Sequence, residues 1–178
     1  MLYFSNADLC VYQYKALIDL SSLEGVLAEW ETFSKQKTLV EYARMISFVA
    51  IALEEKKEAI ATAEGSGRFC IFLVCRDNQE HVQGIGVFQQ EVKKVQALFL
   101  VSNPRSRIEG TFRGAGSSIM LGIFQECVKR NCPLHFILTP SSRPFYQKLG
   151  ISVGAKESIH VSVDKILEVL DAHMAIFY

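Results

Sequence analysis

A short glycine-rich stretch between two apolar segments sets the strongest constraint on how this chain can fold. Residues 112–118 read FRGAGSS. They follow an apolar run at 95–101 and precede residues 119–128, whose apolar positions recur at helical spacing. This order predicts a strand, a loop and a helix. Glycines let backbone N–H groups approach a ligand, and a helix start adds unpaired N–H groups and the positive end of its dipole. The stretch fits a pyrophosphate site with Arg113 at its mouth, and it fits equally a turn that only starts a helix.

A second motif lies one predicted strand further along the chain. Residues 143–151 read RPFYQKLGI. Together the two stretches resemble motifs of the GNAT superfamily of acyl-CoA N-acyltransferases. The phosphate loop of that family reads Gln/Arg-x-x-Gly-x-Gly/Ala, and its later helix reads Phe-Tyr-x-Lys-Leu-Gly-Phe. Arg113, Gly116 and Ser118 take the loop positions, and residues 145–151 take the helix positions. The resemblance is specific over residues 95–154 and elsewhere concerns only the order of the elements.

The resemblance implies an α/β (α+β) fold, the GNAT fold: a mixed, mostly antiparallel central sheet flanked by helices and splayed between strands four and five. It also implies acetyl-CoA as co-substrate, with its pantetheine arm in the splay. The backbone that would pair with this arm belongs to Leu100, Val101 and Ser102. The residues that would hold the phosphates are Arg113, Gly114, Ala115, Gly116, Ser117 and Ser118. We expect residues 1–178 to form a single N-acetyltransferase domain.

Composition and charge exclude several other classes of function. The formal net charge is zero, so nothing indicates binding to nucleic acid or to an anionic membrane. No apolar run approaches the ~20 residues of a membrane span. The first residues lack the basic region and the long apolar core of a secretory signal. The five cysteines are odd in number, lie mostly in apolar runs and show no zinc-site spacing. We therefore expect reduced thiols, no metal site and a cytoplasmic location.

The remaining elements follow the order of the GNAT fold, apart from an additional helix near Asp164. We expect a strand at 9–17 and then two helices. Capping boxes at Ser21/Glu24 and Thr38/Glu41 predict where these helices begin. Short links predict an antiparallel meander of three strands at 68–75, 82–89 and 95–102. After the loop and its helix we expect a strand at 134–138, a helix at 142–148, strand pieces at 151–153 and 158–163, a helix capped by Asp164, and a final strand at 173–178.

Acyl transfer from a thioester to an amine needs a neutral amine, a donor to the oxyanion and a proton for the leaving thiolate. By the resemblance, backbone N–H groups near Val101 polarise the thioester carbonyl, and Tyr146 takes the position of the general acid. A phenol with a pKa of ~10 can donate to a thiolate whose thiol has a pKa of ~8.5. The alternative for Tyr146 is a core aromatic whose hydroxyl is satisfied structurally.

The general base is not assigned by the sequence. The predicted fourth strand carries no carboxylate. The nearest candidates are Glu91, Glu109 and His135, and a water chain is the alternative. Three departures from the family pattern are also present. They are Ser118 in place of Gly or Ala, a long link at 105–112 that carries Arg105 and Arg107, and Thr139 where many members place an Asn.

From these observations we expect transfer of an acetyl group from acetyl-CoA to a primary amine, on a small molecule or a peptide, by direct attack in a ternary complex. No cysteine has a positioned base partner that would favour a covalent acyl-enzyme. The alternative is a non-catalytic GNAT-fold acyl-CoA sensor or protein-interaction module, which the long link, Ser118 and the unassigned base favour. Residues 21–64, which would shape the acceptor pocket, carry no readable specificity, and a homodimer stays open.

Overall fold

A seven-stranded sheet forms the centre of the protein. The computed structural model describes residues 2–5, 9–62, 70–109, 114–154 and 157–174. Within them the strands lie side by side in chain order, and all neighbours are antiparallel except the fifth and sixth, which are parallel. The strands are β1 (Leu2–Ser5), β2 (Leu9–Tyr14), β3 (Cys70–Asp77), β4 (Val82–Gln90), β5 (Val95–Ser102), β6 (Leu134–Ile137) and β7 (Ser158–Val161).

Helices cover both faces of this sheet. The helices are α1 (Leu17–Gln36), α2 (Val40–Ala61), α3 (Pro104–Glu109), α4 (Ala115–Arg130), α5 (Arg143–Lys148) and α6 (Val163–Met174). On one face α1 and α2 pack on each other and α2 packs on β5, around a cluster that includes Leu23, Trp30 and Phe72. On the other face α4 lies on β3 and β4, with α6 against it, around Phe88, Phe124 and Phe136. The sheet therefore has a buried core on each face.

The sheet splays between β5 and β6. The two strands pair only where Val95–Ala97 lies beside Leu134–Phe136, and within the described residues 98–102 of β5 pair with no strand on that side. The split begins at a bulge, because Ala97 and Phe99 lie opposite the consecutive residues Phe88 and Val87 and leave Leu98 as an extra residue. The predicted mixed, mostly antiparallel sheet with a splay between its fourth and fifth strands is confirmed, with β1 as an added strand before them.

Two glycines of β4 allow α4 to lie close to the sheet. A Cβ atom at Gly84 would lie 2.8 Å from Ile119 Cδ1, and one at Gly86 would overlap Ile119 Cγ2. Real Cβ atoms do not approach other carbons this closely, so a larger residue would push α4 outward. Gly84 and Gly86 therefore allow the helix that follows the glycine-rich loop to pack closely on β4. The bulge in β4 lies one residue earlier, at Gln83, where Cys75 and Arg76 of β3 face Gly84 and Val82.

Both helices of the first face begin away from their predicted capping boxes. Helix α1 begins at Leu17 after Ala16, so Ser21 lies inside it, because Leu20 is part of the buried stripe and extends the helix toward the N-terminus. Helix α2 begins at Val40 after Leu39, without a side-chain cap. Thr38 has a φ of 57° and its hydroxyl donates to the Lys37 carbonyl, so it cannot cap the helix.

Other predicted boundaries differ in detail. The strands at 82–89 and 95–102 and the helix after the loop are confirmed. Residues 151–153 form no strand. Helix α6 begins at Val163, and the Ser162 hydroxyl before it accepts from the Lys165 N–H at 3.3 Å. The first strand ends at Tyr14. Strand β1 and helix α3 were not predicted. His173 belongs to α6, and the remainder of the predicted final strand, like residues 68–69, lies outside the described residues. The single-domain assignment stays a prediction.

Candidate functional site

The two sequence motifs meet at the start of α4. Gly114 precedes the helix with a φ of 104°, a left-handed conformation that glycine adopts without strain. Within the first turn of the helix, a Cβ atom at Gly116 would lie 3.4 Å from Phe145 Cε2 and 3.8 Å from Leu100 Cδ2. The glycine-rich loop, the second motif and the unpaired part of β5 therefore converge on one point.

The start of α4 carries backbone N–H groups that precede the first hydrogen bond of the helix among the described residues. The first N–H of this region that pairs within the helix is that of Ser118, which donates to the Gly114 carbonyl at 2.8 Å. The N–H groups of Ala115, Gly116 and Ser117 precede it, and no side chain of a described residue caps the helix. Ser118 is buried inside the first turn of α4. Arg113 and residues 110–112 lie outside the described residues. The described part of the predicted phosphate loop thus has the donor geometry of an anion site.

The edge of β5 that faces the gap is partly occupied. The Asn103 N–H donates to the Gln83 carbonyl at 2.9 Å, and Val101 lies opposite Ile85. Because backbone groups alternate between the two edges of a strand, Val101 directs its N–H and C=O toward β4, whereas Leu100 and Ser102 direct theirs into the gap. In this register the Val101 backbone faces β4, and the pairing of residues 100–102 with a cofactor stays a prediction.

The hydroxyl of Tyr42, on α2, forms hydrogen bonds with the backbone of Ser102. It accepts from the Ser102 N–H at 2.6 Å, donates to the Ser102 carbonyl and lies 3.0 Å from Ser102 Oγ. Of the three predicted backbone positions, Leu100 is thus the one that faces the gap without Tyr42 on it. Sequence reasoning missed Tyr42 and had no signal for it, because only the register of α2 brings position 42 to the end of β5.

Tyr146 lies against β6 under the second motif. Its ring stacks on Phe136 with centroids 4.3 Å apart and meets Phe145 edge-on at 5.0 Å. Burial raises the pKa of Tyr146 to about 12. No hydrogen bond joins its hydroxyl to a described residue, and the hydroxyl is not among the solvent-inaccessible atoms without a partner, Ser34 Oγ and His135 Nδ1. The phenol is therefore protonated at neutral pH, and its ring belongs to the buried core beside β6. Its role as general acid stays a prediction.

A groove of about 510 Å³ opens on the face of β5 that packs against α2, at the bulge. Leu98 and Phe99 form its β5 side, and α2 contributes a further wall. It contains two carboxylates, Glu55 and the sequence candidate Glu91. The other two candidate bases are elsewhere: Glu109 lies near the β3–β4 turn, and His135 Nε2 lies 2.6 Å from Ser158 Oγ. The structure therefore brings only Glu91 of the three to this groove, together with Glu55, which sequence reasoning missed.

Comparison with solved structures identifies the fold of this chain. No protein-family model and no curated protein matches the sequence. Two solved structures are similar in fold. One is a candidate acetyltransferase from Exiguobacterium sp. 255-15, with a TM-score of 0.56 and 16% identity over 90% of this chain and 97% of that chain. The other is the PaiA N-acetyltransferase of Thermoplasma acidophilum in complex with coenzyme A, with a TM-score of 0.57 and 17% identity over 84% and 96%. The chain has the GNAT fold.

Two departures from the GNAT motifs, the long link with Arg105 and Thr139, make contacts within the protein. The long link contains α3, and Arg105 on it contacts α1, with its guanidinium 3.1 Å from a Glu29 carboxylate oxygen and 4.8 Å from the centre of the Phe33 ring. Arg105 is thus held by α1. The side chain of Arg107 lies outside the described part of the helix. The backbone of Thr139 is engaged within the protein, since its N–H donates to Ser142 Oγ at 3.0 Å in the turn before α5.

The side chains and helices of the described residues also bear on metal and membrane binding. Among the residues that the structure describes, no three His, Cys, Asp or Glu side chains lie close enough together to hold a metal ion. In the same part of the chain, no helix is both long and apolar enough to cross a membrane.

Proposed function

We propose that this protein is an N-acetyltransferase that moves the acetyl group of acetyl-CoA to a primary amine, on a small molecule or a peptide, by direct attack in a ternary complex. The observation that carries the proposal is the convergence of the α4 start, Leu100 and the second motif beside a splayed strand pair. An anion site, an open strand edge and a protonated phenol are the groups that binding and cleaving a thioester of coenzyme A require.

The proposal assigns a role to each group. The N–H groups at 115–117 and Arg113 bind the pyrophosphate, and the Leu100 backbone pairs with the pantetheine arm and donates to the oxyanion. A carboxylate of the groove accepts one proton from the ammonium ion, and the neutral amine attacks the thioester carbon. The C–S bond then breaks, and the thiolate takes the proton of Tyr146. The amide nitrogen loses its second proton as Tyr146 is reprotonated, so one proton is released overall.

Buried cysteines support direct transfer over a covalent acyl-enzyme. Cys75 and Cys127 are buried, and burial raises the pKa of each thiol to about 12. Neither would form a thiolate near neutral pH, and the thiolate is the nucleophilic form. The same burial protects both from oxidation.

We predict that all five thiols are reduced in freshly purified protein, in keeping with the proposed cytoplasmic location. Mass spectrometry after alkylation under denaturing, non-reducing conditions should find five modified cysteines. An intramolecular disulfide would contradict both the thiol assignment and the proposed location.

A second candidate function is an acyl-CoA sensor without turnover. The Tyr42 hydroxyl favours it, since it already occupies the Ser102 backbone at one end of the gap. The two candidates differ in one measurement: release of free thiol from acetyl-CoA in the presence of a panel of primary amines. Release that depends on an amine supports the enzyme. Binding of acetyl-CoA without amine-dependent release would support the sensor.

Replacement of Arg113 tests the phosphate loop directly. Arg113→Ala should weaken binding of coenzyme A by about 1.5–3 kcal/mol, because a charged hydrogen bond to phosphate is lost. Isothermal titration calorimetry with coenzyme A measures this, and Arg105→Ala is the matched control, since that arginine is held by Glu29 on α1. Equal affinity of folded Arg113→Ala and wild type would argue against the phosphate-loop assignment.

A further inference from the structure

The groove on the α2 face of β5 has a specific chemical character. Its volume is about 510 Å³. Its apolar walls are Phe48 and Ile51 of α2, which are 40% and 56% exposed, and Leu98 and Phe99 of β5. The rings of Phe48 and Phe99 stack with centroids 5.9 Å apart. Large apolar side chains exposed together in a concave site indicate a ligand with an apolar body.

The charges of the groove are acidic. Glu55 and Glu91 line it, and no Lys, Arg or His belongs to its described lining. Two cations lie beside it: the Lys94 ammonium is 3.3 Å from Glu91, and the Arg44 guanidinium is 5.5 Å from the centre of the Phe48 ring. Glu55 has no ion pair with a described residue. An ammonium ion near Glu55 would complete a pair, whereas a ligand carboxylate there would meet like charge.

The position of the groove connects it to the proposed reaction. Leu98 is the extra residue of the β5 bulge, and the pairing of β5 with β6 ends one residue before it, at Ala97. The groove therefore contacts β5 at the residue where the gap between β5 and β6 begins. A thioester held deep in the gap and an amine held in the groove would meet across Leu98.

We propose that the acceptor is a small hydrophobic primary amine, with an ammonium group joined by a short chain to an apolar alkyl or aryl body and without a carboxylate. This inference rests on the proposed function and specifies its substrate. Glu55 binds the ammonium group and accepts its proton, and Phe48, Ile51, Leu98 and Phe99 contact the apolar body. The volume of the groove fits a compact molecule better than an extended peptide.

The first test compares acceptors of different chemistry. The amine-dependent release of thiol from acetyl-CoA is measured with 2-phenylethylamine, phenylalanine, spermidine and a lysine-containing peptide. We expect kcat/KM for 2-phenylethylamine to exceed that for each of the others by about tenfold or more, since phenylalanine places a carboxylate beside Glu55 and the others lack a matching apolar body. A higher kcat/KM for any of the other three would overturn the proposal.

The second test uses variants of exposed residues that leave the fold intact. Glu55→Gln should lower kcat/KM for 2-phenylethylamine by about 10–100-fold, the range for loss of a charged hydrogen bond. Glu58→Gln should not lower it, because Glu58, one turn further along α2, lines only the neighbouring groove between α1 and α2, whereas Glu55 lines both grooves. Phe48→Ala should raise KM for 2-phenylethylamine more than for n-propylamine, and Phe48→Leu should restore most of the loss. Equal effects of the two glutamate variants would contradict the assignment.

A binding measurement separates failure of this inference from failure of the proposed function. Wild type and Phe48→Ala are titrated with 2-phenylethylamine by calorimetry in the presence of coenzyme A. Binding that Phe48→Ala weakens supports the hydrophobic-amine site even if no acetyl group is transferred, in which case the enzyme proposal alone fails. Turnover of other amines without binding of 2-phenylethylamine would overturn the inference and leave the enzyme proposal standing.

Discussion

Tyr146→Phe is expected to slow acetyl transfer by about 10²–10⁴-fold, the usual contribution of general acid catalysis. The variant keeps the ring that stacks on Phe136 and loses only the hydroxyl, so affinity for coenzyme A should change little. Steady-state rates can hide a slower chemical step when product release limits turnover. The measurement is therefore a single-turnover rate with acetyl-CoA bound before the amine is added.

The pKa of Tyr146 provides a control for the same variant. Burial raises it from 10.0 to about 12. A folded pKa above the unfolded one favours the folded state at pH values below 10, and this contribution is lost as the pH rises from 10 toward 12. Tyr146→Phe removes it, so the variant should lose less stability than wild type over that interval. The difference would show that Tyr146 is buried in wild type, and a cooperative unfolding transition of the variant would show that it is folded. If the single-turnover rate of the folded variant equals that of wild type, Tyr146 has no part in the reaction.

The acid must also be matched to its thiolate. A phenol with a pKa of about 12 is a weaker acid than a free thiol in water, whose pKa is ~8.5. Transfer becomes more favourable when the thiolate leaves into the same low-dielectric region, because desolvation raises the pKa of a thiol as it raises that of a phenol. The ring of Phe136, stacked on Tyr146, and the ring of Phe145, which meets it edge-on, provide such surroundings.

Much of the fold could be predicted because most elements, although not β1 and α3, carry their own local pattern. The apolar runs of β4 and β5 and the short links between them predicted the meander, and the glycine-rich loop predicted the start of α4. Helix starts were less predictable. At Ser21 and Thr38 the capping pattern was present, but burial of Leu20 extended α1, and the left-handed backbone of Thr38 moved the start of α2. Tertiary packing decided these boundaries against local preference.

The candidate site was predictable where it depends on sequence neighbours and not where it depends on register between distant elements. Gly114, Gly116 and Tyr146 belong to contiguous motifs, and the structure brings both motifs to Leu100. By contrast, the direction of the Val101 backbone depends on how β5 pairs with β4, and Tyr42 reaches the end of β5 across sixty positions of the chain. Glu55 lines the groove only because of its position around the turns of α2. A single sequence contains no local signal for such contacts.

Ile119→Ala is expected to destabilise the protein by about 2–5 kcal/mol, the range for truncating a fully buried aliphatic side chain. Ile119 is fully buried and lies directly over Gly84 and Gly86 of β4. Gly86→Ala should destabilise by about 1–3 kcal/mol, because its methyl group would overlap Ile119 Cγ2. Chemical denaturation of each variant measures the free energy of unfolding. Since Ile119 lies in the second turn of the helix that presents the phosphate donors, both variants should also bind coenzyme A more weakly.

The double variant Gly86→Ala/Ile119→Ala tests whether this contact seats α4. Removal of Ile119 Cγ2 frees the space that a methyl group added at position 86 needs, so the double variant should be more stable than the sum of the single changes predicts, by about 0.5–3 kcal/mol. Gly25→Ala is the control, because Gly25 lies in α1 with no atom within 4 Å of its added methyl group. It should be neutral or stabilising by up to about 1 kcal/mol. Strictly additive energies at positions 86 and 119 would mean that the close approach of α4 to β4 does not depend on glycine.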